Sequence, residues 1–486
     1  MIILKGIIMN LENMVLGSEL SKLKSSIKKI FFYRICGTGM GACACLAKEL
    51  GLEVAGADIT FSPPMSTYLE SLDIDLFDLK NLKKEVLKDY DLIVVGNSVP
   101  RGSEHAKFIE QCGLKFTSFP SFLGEFLLKD KSVVGICGTH GKTTTTYFLT
   151  QMLEVLGEDP GYFIGGIIDH KAPSHLGTSD YFIIEADEYD SAYFQKISKF
   201  RLYEMNHMIL TSLEFDHADI FSSIEDIKNE FESVLPSLPG EIIANDAYKA
   251  IFELKEKYQN KPWMIYGQDS SIGPQKIEVH NGMTQFQLKL GNSYVSFETN
   301  VIGAHNILNI SSCLLLLHKL NFNTIELKQA VKSLGMVKRR QELRGSYKGS
   351  LVIDDFAHHP RAIDLTLKAI RQKYPNKKIL TVFEPISATA RSDIFQEEFY
   401  EALKLSDEVI LAVSPIHTSV RDHENLDCVA IRDKINQNEQ RAYVVRELIE
   451  LRELLDQKVD ESTLFLILSN RTCLGLWESD FVKALS

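Results

Sequence analysis

Residues 135–146 read GICGTHGKTTTT. A glycine-rich turn set between a strand and a helix aims backbone N–H groups at one centre, and the helix dipole adds positive potential there. Gly138, Thr139, His140, Gly141, Lys142, Thr143 and Thr144 therefore form a candidate phosphate loop. In such a loop Lys142 reaches the terminal phosphates and the Thr143 hydroxyl meets a bound Mg²⁺. The common spacing G-x-x-x-x-G-K-T would need glycine at Ile136; Gly135 stands one place early, so this is a variant loop. Downstream, YFIIEADEYD ends a buried-strand pattern in Glu185, Asp187, Glu188 and Asp190. Acids gathered at one strand end repel one another without a cation, and Mg²⁺ is the hard, oxygen-seeking partner that fits. A second set, Glu214, Asp216, His217 and Asp219 in SLEFDHADIF, follows the next strand. The alternative for each set is a solvated acidic loop, ordinary in a chain of net charge −12.

Three further patterns carry polar chemistry. In IGAHNILNI, His305 and Asn309 share a helix face with Asn306 beside them; an imidazole and an amide so placed can hold a flat purine or cap a helix. In VIDDFAHHPRAI, Asp354 and Asp355 end a strand ahead of His358 and His359, residue types suited to ribose and phosphate contacts or to a plain surface loop. Near the N-terminus, Gly37, Thr38, Gly39, Met40, Gly41 and Ala42 satisfy G-x-G-x-x-G/A, with Asp58 at the end of the next strand. That pattern holds a diphosphate or ribose, or merely packs a helix on a strand.

The elements that must position these residues are legible around them. FFYRIC, LEVAGAD and DLIVVGNS read as strands of a first α/β unit, with GTGMGA as a tight turn and CLAKELG as a helix closed by Gly51. SVVGIC, YFIIEA and HMILTSL are short apolar runs expected of strands covered on both faces. A helix carrying Phe148, Leu149, Met152, Leu153 and Leu156 on one stripe stops at Gly157. KIEVH, TQFQLKL and SYVSFETNV, joined by Asn281-Gly282 and Gly291-Asn292, predict a small antiparallel meander attached to the middle domain. LVID, ILTVFEP, EVILAVSP and TLFLILSN give a third α/β unit.

Chain length, 486 residues, favours about three domains. The expected organisation is an N-terminal extension over 1–30, read as a loose segment, then α/β domains over 31–130, 131–335 and 336–486. Lys and Arg total 53 against 65 Asp and Glu, which argues against nucleic-acid coating or binding to an anionic membrane surface. The eight cysteines form no C-x-x-C pair, as expected of reduced thiols in a cytoplasm. No apolar run reaches the roughly 18 residues of a spanning helix.

GTHGKTTTT, EADEYD, the FDH of SLEFDHADIF, AHNILN and DDFAHHP occur in one order across nearly the whole chain after residue 30. This set resembles the Mur ligase family, ATP-dependent amide-forming enzymes of peptidoglycan synthesis. The resemblance implies a three-domain architecture: a Rossmann-like N-terminal domain, a central P-loop ATPase-like domain with the meander, and a Rossmann-like C-terminal domain. It implies ATP and Mg²⁺, with the metal held by Thr143, Glu185 and, at a second site, His217. Adenine would lie by His305, Asn306 and Asn309, and the ribose by Asp355. Lys142 would stand at the transferred phosphate, and His358 and His359 by that phosphate or the nucleophile. A UDP-sugar would sit on Gly37–Gly41 near Asp58, Asn97 and Ser98.

GTHGKTTTT, EADE and DDFAHHP resemble the branch that uses UDP-N-acetylmuramate. ICGTGMGA, GNSVPRG and EADEYDSAYFQKISKF resemble its peptide-adding members, which implies a murein tripeptide, L-alanyl-γ-D-glutamyl-meso-diaminopimelate, as the amine; L-alanine is the alternative. The chain departs from that pattern at Ile386, where an arginine is usual, and at SNRTCLG (469–475) and IIDHKAPSH (167–175). Arg391 is the residue placed to meet the amine substrate in compensation. Two rival readings stand beside this one. An NAD-dependent oxidoreductase would account for the N-terminal turn alone, and a nucleotide-gated regulatory protein would account for the missing arginine.

Overall fold

Strands that are apolar on both faces must be covered on both faces, and the chain does this with three mainly parallel sheets. The computed structural model describes residues 2–4, 7–166, 171–216, 220–280, 282–387, 389–414 and 424–486, with side chains from residue 9 onward. Two compact units result: Met1–Leu213, Ile227–Tyr266 and Ser312–Ala330 form one, and Glu214–Asp226, Gly267–Ser311 and Val331–Ser486 the other. Among the described residues no helix is long and apolar enough to cross a membrane.

The first unit holds two large sheets. Its N-terminal sheet comprises β1 (Lys29–Tyr33), β2 (Glu53–Asp58), β3 (Asp75–Asp78), β4 (Leu92–Val95) and β5 (Phe116–Ser118), in the order β3-β2-β1-β4-β5. All pairs are parallel. The order reverses direction at β1, which opens a crevice beyond its C-terminal end. Helix α1 (Thr38–Glu49) begins one residue after Gly37, so most of the expected GTGMGA turn is already helical. The small residue lets Met65 pack against this turn: a Cβ on Gly41 would lie 2.1 Å from Met65 Sδ, and that side chain would have to move.

From Met9 to Ile27 the N-terminal segment is packed, not loose. Residues 13–15 run parallel to β5, with the Phe116 amide donating to the Asn13 carbonyl at 3.0 Å and the Val15 amide donating to the Phe116 carbonyl at 2.9 Å. Met9, Val15, Leu20 and Ile27 are buried, and the Ser21 hydroxyl donates to Glu125. Residues 13–15 thus cover an otherwise exposed edge of the sheet.

The second sheet of this unit comprises β6 (Ser132–Cys137), β7 (Gly161–Phe163), β8 (Ser174–His175), β9 (Tyr181–Glu185), β10 (His207–Leu210), β11 (Ile242–Asn245) and β12 (Trp263–Tyr266). Its order is β8-β7-β9-β6-β10-β11-β12, antiparallel only between β7 and β8. Helix α2 (Lys142–Val155) follows β6 through the glycine loop.

In the second unit β13 (Gln275–His280), β14 (Met283–Leu290) and β15 (Ser293–Thr299) form the expected antiparallel meander. Helix α3 (Ala304–Lys319) follows it in the chain. The last sheet comprises β16 (Glu342–Tyr347), β17 (Ser350–Asp355), β18 (Lys378–Glu384), β19 (Glu408–Ala412), β20 (Ala442–Val445) and β21 (Thr463–Ser469). The order is β16-β17-β21-β18-β19-β20, parallel except at the β16–β17 hairpin. Period two is visible along β21: Leu464, Leu466 and Leu468 enter one core, whereas Phe465 and Ile467 enter the other. Helix α4 (Pro360–Lys373) buries Ile363, Leu367 and Ile370 in the first of these cores.

Two stretches that depart from the family pattern meet at one buried carboxylate. Glu384 ends β18 and accepts hydrogen bonds from Ser469 Oγ at 2.6 Å, the Cys473 amide at 3.0 Å and the Leu474 amide at 2.8 Å. It thereby pins the SNRTCLG turn, in which Cys473 and Leu474 adopt positive φ. Glu384→Ala strands these donors away from water, so we expect urea denaturation to show a loss of about 2–4 kcal/mol. A loss below about 0.5 kcal/mol, the usual range for a surface substitution, would contradict this.

Candidate active site

The glycine loop is shaped by its backbone before any side chain acts. Gly138 has φ +128° and Gly141 φ +83°, a region that side-chain-bearing residues rarely enter. A Cβ on Gly138 would also fall 2.6 Å from Thr211 Oγ1. The loop is tied to the end of β10: the His140 amide donates to Ser212 Oγ at 2.7 Å, and Thr211 Oγ1 donates to the Cys137 carbonyl at 3.1 Å and also to the His140 carbonyl. With Gly141 as the residue before the helix and no side chain capping it, the first amides of α2 stay available for an anion.

Lys142 opens α2, and its ammonium turns back over this loop. Nζ donates to the Gly138 carbonyl at 2.6 Å and to Glu188 Oε2 at 3.3 Å, with Asp187 Oδ1 at 3.9 Å. Burial pulls its pKa down, but the carboxylates of Glu188, Asp187 and Glu185 outweigh burial and hold it above the ordinary lysine value. Thr143 Oγ1 donates to Glu185 Oε2 at 3.1 Å, and the Gly165 amide donates to Glu185 Oε1 at 2.6 Å. Burial raises the Glu185 pKa against the opposing pull of the Gly165 amide, Lys142 and Thr143. Hydroxyl and carboxylate oxygens side by side are the hard donors that Mg²⁺ takes, so Thr143 and Glu185 fit that ion. Thr144 points inward and is buried. His217, the third expected metal ligand, lies outside the described residues.

Sequence reasoning missed Lys199, whose Nζ lies 3.2 Å from Asp187 Oδ2 and fixes the acidic turn from its far side. It also missed Thr211 and Ser212; two hydroxyls ending the strand beside the loop strand are the signal that could have found them.

In the N-terminal sheet, Gly37 precedes α1, and Thr38, Gly39, Met40 and Gly41 form its first turn. Met40 and Gly41 are buried and serve packing, whereas Asn97 and Ser98 are exposed after β4. Asp58 is buried and its oxygens are occupied: they accept the Cys36 amide at 2.9 Å and the Ile59 amide at 2.7 Å.

In the second unit, burial, aided by the nearby Arg340 charge, lowers the His305 pKa to about 4, so its ring is neutral at physiological pH. Gln341 Nε2 lies 3.4 Å from His305 Nε2, and the Gln341 amide donates to Asp355 Oδ2 at 2.8 Å. His305 and Asp355 are therefore brought together through Gln341, a residue the sequence reading did not single out. Asn306 turns away and donates to the Ile302 carbonyl at 2.9 Å; Asn309 is buried. Asp354 faces away from Asp355 and pairs with Arg339 Nε at 3.0 Å. His359 caps α4, its Nδ1 accepting the Arg361 amide at 3.4 Å, and His358 Nδ1 lies 3.0 Å from the Phe356 carbonyl. Arg361 Nη1 in turn donates to Glu214 Oε1 at 2.7 Å, and Thr389 Oγ1 to Asp216 Oδ1 at 2.8 Å. Ile386 is buried, and burial together with the nearby charge of Arg471 draws the Arg391 guanidinium below its ordinary pKa.

Three family descriptions match successive stretches: "Mur ligase family, catalytic domain" over 29–131, "Mur ligase middle domain" over 136–317 and "Mur ligase, glutamate ligase domain" over 339–471. The UDP-N-acetylmuramate–L-alanyl-γ-D-glutamyl-meso-2,6-diaminoheptandioate ligase of Haemophilus influenzae is 34% identical, over 93% of this chain and 98% of its own. The ligase of the same name from Escherichia coli is 36% identical, over 80% and 85% respectively. Among solved structures, a murein peptide ligase from Psychrobacter arcticus superposes with a TM-score of 0.69 at 28% identity, over 94% of this chain and 98% of that one. With a relative above 30% identity along nearly its whole length and all three domain types in order, the chain belongs to the Mur ligase family.

Proposed function

We propose that this chain is an ATP-dependent ligase that joins the lactyl carboxylate of UDP-N-acetylmuramate to the amine of L-alanyl-γ-D-glutamyl-meso-diaminopimelate, in the cytoplasm, during peptidoglycan recycling. The observation that carries the chemistry is Lys142 held at 2.6 Å from the Gly138 carbonyl and 3.3 Å from Glu188, at the mouth of a glycine loop that opens a helix. The choice of substrates rests on the two peptide-adding relatives and their identity to this chain.

A carboxylate is a poor electrophile because its leaving group would be oxide. Attack of a carboxylate oxygen on the γ-phosphorus of ATP releases ADP and leaves an acyl phosphate, whose leaving group is phosphate. The amine nitrogen then bonds to the acyl carbon, phosphate departs, and the nitrogen gives up a proton. Phosphoryl transfer needs positioning and charge neutralisation more than covalent help from the protein. Lys142 and the uncapped first amides of α2 supply part of that charge. Thr143 and Glu185 would hold Mg²⁺, which when bound neutralises phosphate oxygens. Neutral His305 presents a ring nitrogen to the adenine edge, and Asp355 faces the ribose. By the family resemblance, His358 and His359, beside the N-terminus of α4, are assigned to the transferred phosphate or the nucleophile. We further propose that UDP occupies the α1 turn with Asn97 and Ser98, and that Arg391 meets a carboxylate of the peptide.

The direct test is phosphate release from ATP by the purified chain with UDP-N-acetylmuramate and a panel of amines. We expect the tripeptide to support turnover and L-alanine to give at most about a hundredth of its kcat/KM, a difference of about 3 kcal/mol in transition-state binding. Equal or better use of L-alanine contradicts the peptide assignment; no phosphate release with any amine contradicts the ligase assignment. Removing one hard ligand weakens the metal site, so Glu185→Ala should shift the Mg²⁺ concentration for half-maximal activity upward by at least about ten-fold. An unchanged Mg²⁺ titration would remove Glu185 from the site.

A further inference from the structure

Arg34 stands where β1 ends and has φ +70°, a conformation that costs an ordinary side chain about 1–2 kcal/mol. The strain comes from a bulge: the amides of Arg34 and Ile35 both donate to the Ala57 carbonyl, at 2.8 and 3.1 Å. This turns the Arg34 side chain across the C-terminal ends of β2 and β4. Its Nη1 lies 3.1 Å from Asp58 Oδ1 and its Nε donates to Ser98 Oγ at 3.4 Å. Nη1 is buried, and the ion pair is bent too far for it to count as a hydrogen bond. The side chain remains one-quarter exposed, so the guanidinium lies between the buried carboxylate and the open crevice.

These contacts reassign the roles at the strand-order reversal. Asp58 is committed to the Cys36 and Ile59 amides and to Arg34, so it serves as a latch for the turn. A bare carboxylate here would repel an anionic ligand; Arg34 cancels it and leaves guanidinium N–H groups unspent. The uncapped N-terminus of α1 begins four residues further along the chain and adds amide donors of the same sign of potential.

We infer that Arg34 is a diphosphate-binding residue of the nucleotide-sugar site, its guanidinium meeting the phosphate oxygens of the UDP moiety while Asp58 holds it in place. This rests on the proposed use of a UDP-sugar. Charge-assisted guanidinium–phosphate bonds are the strong class of hydrogen bond, which explains why a strained arginine is kept where glycine would fit the backbone without cost.

The test is calorimetric titration of UDP into the full chain and into Arg34→Gly, which relieves the strained φ and so preserves the fold, and Arg34→Lys, which restores a cation. We expect Arg34→Gly to weaken UDP binding at least about ten-fold while Tm holds or rises, and Arg34→Lys to recover part of that loss. Uridine, which lacks phosphates, should bind the parent and Arg34→Gly alike. If the parent binds UDP and Arg34→Gly matches it within about two-fold, or if uridine loses as much as UDP, the role of Arg34 is overturned and the ligase reading stands. If the parent itself ignores UDP, the nucleotide-sugar reading falls and takes this inference with it.

Discussion

An ammonium group taken out of water keeps its charge only when carboxylates compensate for the lost hydration, and the phosphate site depends on that balance. Lys142 is 13% exposed, with Glu188 and Asp187 within 4 Å and Glu185 close enough to raise its pKa further. The same carboxylates would repel a triphosphate if they stood alone. Lys142 and Lys199 offset two of the three carboxylates beside the glycine loop. Gly138 and Gly141 are required because the loop must turn through positive φ close to Thr211 and Ser212. Remove Lys142 and the cluster is an anionic surface facing an anionic ligand.

All three sheets repeat one arrangement. Chemistry-bearing residues leave the C-terminal ends of parallel strands, where the loops are free to vary and helix N-termini are exposed. Asp58, Glu185, Asp355 and Glu384 end β2, β9, β17 and β18; Asn97, the glycine loop and Thr211 follow β4, β6 and β10. At these ends some side chains brace others. Asp58 braces Arg34, Lys199 braces Asp187, Glu384 braces the 469–474 turn, and His359 braces the start of α4.

What the sequence made legible follows from the physics of each feature. Short continuous apolar runs mark buried parallel strands, so β1, β6, β9 and β21 could be read in advance, as could the Mur ligase resemblance carried by the loops that follow the strands. Contacts between residues distant in sequence could not be read. Gln341, which joins His305 to Asp355, sits in no motif. The packing of residues 13–15 beside β5 depends on an edge that only the folded sheet exposes. Arg34 was the least legible, because its conformation runs against the preference of its residue type and arises from the β1–β2 register. Asp58 was found by its spacing, but spacing carries no information on which groups its oxygens already serve.

The account stands or falls on whether the lysine-centred loop grips a triphosphate. Isothermal titration of ATP with magnesium into the purified chain should give a Kd below about 1 mM, and Lys142→Ala should weaken it at least about ten-fold with the fold intact by circular dichroism. Absence of binding heat at millimolar ATP, or a Lys142→Ala variant that binds as the parent does, would contradict the account at its centre.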